Sequence, residues 1–173
     1  MEAIVKQIND EVASWLKNLD VKVKTHLLAE PILAPDRNGD KTIPAIVDPY
    51  GEVDMNLFDD RYHVGLYHKL TGKDYTNDPS RGYGNSKSIL ETANMSMIVY
   101  GVRSKILGRD VEEKIVHTIN AINGKSVGTV KSVSWDRNQV FTSEFSNVQF
   151  FLKPNIFLFK INYTISTTHR VCE

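Results

Sequence analysis

The sequence has one cysteine in 173 residues, Cys172, so no disulfide can close within the chain. A reducing compartment is its natural setting. Next to Glu173, that thiol also lacks the neighbours that would lower its pKa and make it a nucleophile. Net charge is absent too: Lys and Arg together number 21, as do Asp and Glu, which removes the bulk electrostatic case for nucleic acid or an anionic membrane as main partner. There is no long apolar run. The least polar stretch, FFLKPNIFLFKINYTIS from Phe150 to Ser166, is interrupted by Lys153, Pro154, Asn155, Lys160 and Asn162, whereas a spanning helix needs about 20 continuous apolar residues. The opening residues lack the basic start and apolar core of a secretion signal, because Lys6, Asp10 and Glu11 break them up. The sequons Asn94-Met-Ser and Asn162-Tyr-Thr are therefore read as chance. No fixed-period repeat or low-complexity tract is visible.

What is present suits one α+β domain, since 41% hydrophobic content in a chain of this length can bury a real core. Ile4, Ile8, Val12, Trp15, Leu16 and Leu19 form the stripe of an opening amphipathic helix. Val21 to Leu28 alternates as a strand, broken by Pro31, Pro35 and the Asp36-Arg-Asn-Gly turn. Ile43 to Val47 is a short second strand. Ala93 to Val102 is a central strand in which Met95, Met97 and Val99 alternate with Ser96, Ile98 and Tyr100. Asp110 with Glu113 makes a capping box for a second helix, striped by Val111, Ile115, Ile119 and Ile122 and stopped at Asn123-Gly124. Strands over Ser126 to Trp135 and Gln139 to Phe145 follow, with a turn at Asp136-Arg-Asn138 between them. In Phe150 to Ser166 the alternation of Phe157, Phe159, Ile161, Tyr163 and Ile165 with polar neighbours marks a half-buried strand, hairpinned through Pro154-Asn155 to Val148–Leu152. The expected fold is a mostly antiparallel sheet covered by two helices.

Residues 48–88 differ in character, being rich in Gly, Asn, Asp and Tyr, with a hairpin expected from Tyr62 to Tyr75 turning near Thr71-Gly-Lys-Asp74. A segment of this length is expected to be functional or ordered by a partner. Charge is also uneven: residues 1–60 carry 6 basic and 12 acidic side chains, residues 61–109 carry 8 and 3. The two regions can neutralise one another within the fold or attract neighbouring subunits.

Catalytic and metal patterns are incomplete. Asp36, Asn38 and Asp40 begin like a calcium loop, but Lys41 stands where the turn wants glycine and Val47 where the bidentate glutamate belongs, so an Asx-rich turn is the better reading. Gly124-Lys-Ser126 closes a helix where a phosphate loop would open one. His63 and His68 are five apart, off any shared helical or strand face, and His26, His117 and His169 have no ligand-spaced partner. Asp59-Asp60 marks a solvated turn. No enzyme, cofactor or metal is implied. Arg81, Lys87, Arg103, Lys105 and Arg109, with Tyr75, Tyr83 and Tyr100 among them, are the best case for nucleic-acid contact, and that accessory role is the alternative reading. Tyrosine-rich loops equally suit protein interfaces, and the expected interface residues are Tyr62, Val64, Leu66, Tyr67, Tyr75, Arg81, Tyr83 and Lys87.

The order of elements, carried by Ile4 to Leu19, Pro44 to Val47, Met95 to Tyr100, Asp110 to Ile122 and Phe157 to Ile165, resembles the lambda-type tail terminator and related neck or head–tail connector ring proteins of tailed bacteriophages. That resemblance implies a structural virion protein, assembled in the host cytoplasm, whose α+β protomers form a homo-oligomeric ring of six or twelve. Such a ring would join portal, neck or tail proteins and let DNA pass without sequence-specific contact. On this expectation 48–88 is an arm laid on the adjacent subunit.

Overall fold

The structure, a computed structural model, describes residues 1–39, 42–55, 61–77, 87–106, 110–123, 129–134 and 156–171. The expectations at Asp40-Lys41, Asp59-Asp60, Arg81, Tyr83, Arg109, Gly124 to Ser126, 135–155 and Cys172 lie outside those residues. Helix α1 (Glu2–Asn18) is followed by β1 (Val23–Leu28), β2 (Glu30–Pro35), β3 (Thr42–Val47), β4 (Val53–Asp54), β5 (Val64–Asn77) and β6 (Lys87–Val102). A single turn α2 (Arg103–Ile106), helix α3 (Val111–Asn123), β7 (Thr129–Ser134) and β8 (Ile156–Val171) complete the order. The main sheet runs β1-β5-β6-β8-β7, with β1 parallel to β5 and every other pair antiparallel. The fold is α+β, as the alternation predicts.

Both helices lie on one face of this sheet. Val5, Ile8, Val12 and Leu16 of α1 and Val111, Ile115, Ile119 and Ile122 of α3 form one core with Val64 and Leu66 of β5, Met95, Met97 and Val99 of β6, and Phe159, Ile161, Tyr163 and Ile165 of β8. The α1 stripe is rotated slightly from expectation, because Val5 is fully buried while Ile4, Trp15 and Leu19 pack at its margin. At the start of α3, Asp110 accepts the Lys114 N–H on its carbonyl at 2.9 Å and adopts φ 47°, a left-handed entry in place of the extended N-cap backbone.

The first half of the chain departs from expectation at two places. Pro31 and Pro35 do not end the sheet: they sit in β2, which with β3 and β4 forms a separate three-stranded sheet. Proline is accommodated there because β2 is an edge strand, and residues four apart turn their imino nitrogens to the same, unpaired side. The Tyr62 to Tyr75 hairpin is a single strand, β5, paired to β6 from Val64↔Gly101 to Asn77↔Ile89, and Thr71-Gly72 is a bulge in it. The Asx turn at Asp36 forms as expected: Asp36 Oδ1 accepts the Asn38 N–H at 3.1 Å and Gly39 takes φ 77°.

On the sheet face opposite the helices, Gly65 pairs with Tyr100, and a β-carbon built on Gly65 would overlap the Tyr100 ring. The ring is itself buried, 3% exposed, and packs at 6.5 Å centroid distance from the Tyr67 ring. Gly65→Ala must displace it, so thermal unfolding should show a loss of about 1–3 kcal/mol. An unchanged midpoint would mean the ring moves aside freely.

Candidate interaction surfaces

The helix-covered core ends at Ala93 in β6 and Ile165 in β8, but the ladder between them continues from Thr92↔Ser166 to Lys87↔Val171. With β5 from Gly72 to Asn77, this makes a three-stranded ribbon beyond the helix-covered core, its middle strand buried or half-buried from Ser88 to Thr92. Its first strand is exposed from Lys73 to Asn77. The ribbon is held by polar side chains. Lys73 Nζ pairs with Glu91 Oε1 at 2.8 Å, His169 Nε2 lies 3.1 Å from Glu91 Oε2, and Asn94 Nδ2 donates to Asp74 Oδ2 at 3.0 Å. The Lys73 hydrogen bond lowers the Glu91 pKa, with a lesser contribution from His169, and the same bond raises that of Lys73. Exposed pairs of this kind set geometry more than stability. Tyr75, 60% exposed and directly across from Glu91, is the large apolar group they frame.

Of the expected interface residues, Tyr75 is exposed, Tyr62 is 36% exposed at the other end of β5, and Lys87 opens β6 opposite Val171. Val64, Leu66 and Tyr67 do not fit. They are at most 1% exposed, since β5 lies between β1 and β6 and its first half is core on both faces. Arg81 and Tyr83 fall outside the described residues. Of the segment 48–88 expected as an arm, Val53–Asp54 and Val64–Asn77 are strands β4 and β5, and residues 56–60 and 78–86 lie outside the described residues.

The basic middle of the chain is divided by the same geometry. Lys87 begins β6 and Arg103 follows its last residue, so 16 residues of extended chain separate them, roughly 50 Å. Arg103 and Lys105, both exposed on α2, are joined by Lys22 and Arg61, also exposed, around His63. His63 fixes the junction: its N–H donates to the Lys22 carbonyl at 2.8 Å, its Nδ1 accepts the Lys22 N–H at 3.2 Å, and its carbonyl accepts the Val102 N–H at 2.8 Å. Desolvation lowers the His63 pKa first, and the charges of Lys105 and then Lys22 lower it further, against Asp20. Beside this end lies a groove of about 430 Å³ lined by Ala13, Lys17, Asp20, Val21, Lys22, Val23 and Tyr62.

A third cluster ties the two sheets together. Asp54 of β4 pairs with the Lys24 ammonium and, at 3.1 Å, with His26 Nε2, both on β1. Burial lowers the His26 pKa, which Asp54 partly opposes. A small cavity of about 130 Å³ adjoins it, lined by His26, Ala29, Ile46, Asp48, Glu52, Val53 and Asp54. Asp48 Oδ1 is already engaged by the N–H groups of Tyr50 and Glu52 at 2.9 and 2.8 Å. Among the described residues no group of three or more His, Cys, Asp or Glu is arranged to hold a metal ion, and none of their helices is long and apolar enough to cross a membrane. No protein-family model matches this chain and no curated protein matches it.

One polar chain has no counterpart in the sequence reading. Asn9 Nδ2 donates to the His26 carbonyl at 2.9 Å, which leaves Asn9 Oδ1 as acceptor for His68 Nε2 at 2.8 Å. His68 is then the Nε2–H tautomer, and its Nδ1 accepts from the Tyr163 hydroxyl at 2.8 Å. All three side chains are at most 3% exposed. The signal that could have found it is Asn9 itself, a polar residue at helical spacing among Val5, Ile8, Val12 and Leu16.

Proposed function

We propose that this chain is a structural protein of the neck or tail of a tailed bacteriophage, a tail terminator or head–tail connector that forms a closed ring, joins components of the particle and lets DNA pass. The observation that carries this reading is the ribbon. Three strands continue past the helix-covered core and present Tyr75 on a scaffold of ion pairs, and an exposed patch that seats on a different patch of an identical neighbour generates a heterologous contact, which makes a ring when its rotation closes. Tyrosine is suited to that position, since it buries a rigid ring at small entropic cost and keeps a polar tip. The order of α1, the β1 to β6 strands, α3 and the closing strands supports the same reading through the resemblance noted above.

Tyr75→Glu combined with Lys73→Glu tests it, because both side chains lie outside the core. Light scattering should find wild-type rings at micromolar concentration, weakened by rising salt as charge contacts are screened. The variant should be a folded monomer, destabilised by no more than about 1–2 kcal/mol by the carboxylates now facing Glu91, its assembly weaker by at least about 2 kcal/mol, a hot-spot loss. A wild-type monomer at all concentrations, or a variant that assembles normally, overturns the proposal.

A further inference from the structure

We infer that the end of the main sheet where β1 and β5 begin and β6 ends is a binding surface for the phosphate backbone of duplex DNA, formed by Lys17, Lys22, Arg61, Arg103 and Lys105 with Tyr62 beside them. The inference deepens the ring reading by naming the face that DNA meets, and rests on that reading only for the biological source of the DNA. Three separate segments bring these cations together: the C-terminal turn of α1 and its exit, the residues before β5, and α2. All five are exposed. His63 ties this end of the sheet together: hydrogen bonds join the Lys22 segment to the end of β6 there, and the charges of Lys105 and Lys22 both register at its ring. In a chain with no net charge, these five cations, set against the Asp20 carboxylate that also acts on His63, form a local field suited to a polyanion.

The shape favours a backbone over a compact anion. Cations on separated loops, with a groove of about 430 Å³ running past Lys17 and Lys22 to Tyr62, match successive phosphates along a strand; a small anion would need donors converging on one point. Lys and Arg at such a surface release counterions on binding, which gives sequence-independent affinity with a steep salt dependence. The first turns of α1 are not part of the surface, so Lys6 there serves as an internal control.

The test uses the full chain and a fluorescently labelled random-sequence duplex, followed by anisotropy at about 50 and 200 mM salt. Wild type should bind with a Kd on the order of 10⁻⁴ to 10⁻⁶ M and weaken as salt rises. Lys22→Glu with Arg103→Glu and Lys105→Glu should bind at least about tenfold more weakly, with the logarithmic salt slope reduced by about 3, one unit for each phosphate left without its cation. Lys6→Glu, at an exposed position near the opposite end of α1 from Lys17, should leave duplex binding unchanged. No wild-type binding at low salt, or a triple variant that binds as tightly as wild type, overturns the inference. A triple variant that keeps DNA binding but loses self-association also overturns it, and makes the patch a contact with an acidic protein surface. Light scattering on the same samples separates this from the ring reading: a monomer that binds duplex through these residues removes the ring and leaves the surface, and a ring indifferent to DNA does the reverse.

Discussion

Ile161→Asp is expected to abolish soluble folding. Ile161 is fully buried on β8, with Met97 of β6 on one side and Val133 of β7 on the other in the ladder. The α1 and α3 stripes cover the same face. Asn9, His68 and the Tyr163 hydroxyl, the polar groups beside that core, already engage one another, so the new carboxylate must enter protonated, or charged and without a cation. Either route costs several kcal/mol, against a total stability for a domain of about 5–15 kcal/mol. The β8 strand cannot turn the residue outward, because a slip of one position would invert every side chain along its 16 residues. Expression should give insoluble protein, or a chain without a cooperative transition by circular dichroism. A soluble variant unfolding at the wild-type midpoint would place this face outside the core.

Acid should unfold the protein through His68. Burial lowers its pKa to about 3 from an ordinary 6.5, and among the described residues the groups around it are uncharged: Asn9 stands over it from α1, Leu28 and Met97 flank it on β1 and β6, and Tyr163 reaches it from β8. Between about pH 6.5 and 3 the unfolded chain therefore holds a proton that the folded chain does not. The contribution is fully present above the unfolded pKa and falls as pH drops, with a slope approaching about 1.4 kcal/mol per pH unit and a total of roughly 4–5 kcal/mol. His26 and His63, lowered by burial as well, act in the same direction. His68→Gln keeps a donor for Asn9 and an acceptor for Tyr163 but cannot titrate. Urea unfolding should find it less stable at pH 7.5 by about 1–3 kcal/mol, with a shallower loss between pH 6 and 4. Equal slopes in wild type and variant would show that His68 charges without penalty in the fold.

The parts of this fold that could be read from the sequence are those whose period is complete within one element. Ile115, Ile119 and Ile122 mark the buried side of α3, and Phe159, Ile161, Tyr163 and Ile165 that of β8, without knowledge of what covers them. Features decided between elements were not legible. Gly72 with Lys73 and Asp74 has the composition of a turn, and only the pairing with β6 makes it a bulge. Pro31 and Pro35 have the chemistry of breakers, and only the edge position of β2 admits them. Val64, Leu66 and Tyr67 look like interface residues because the polar residues around them dominate the average over 48–88. They are too few for a core of their own, and Val64 and Leu66 contribute instead to one shared with α1, β6 and β8. The basic end needed Lys22 from the acidic first third beside Arg103 and Lys105, a neighbourhood created by His63. The Asn9–His68–Tyr163 chain joins residues from three elements.

The unbroken β6–β8 ladder also has a mechanical meaning. Sixteen consecutive residue pairs, from Lys87↔Val171 to Val102↔Ile156, run without a bulge from the ribbon into the core. A pull on the ribbon along its length loads their hydrogen bonds in shear, all sharing the force at once, whereas a sideways pull would open them one at a time. Ribbon and core form one stiff beam: tension applied at the Lys87–Val171 end reaches the Phe159–Ile165 core through the backbone, with no bulge between them to take it up.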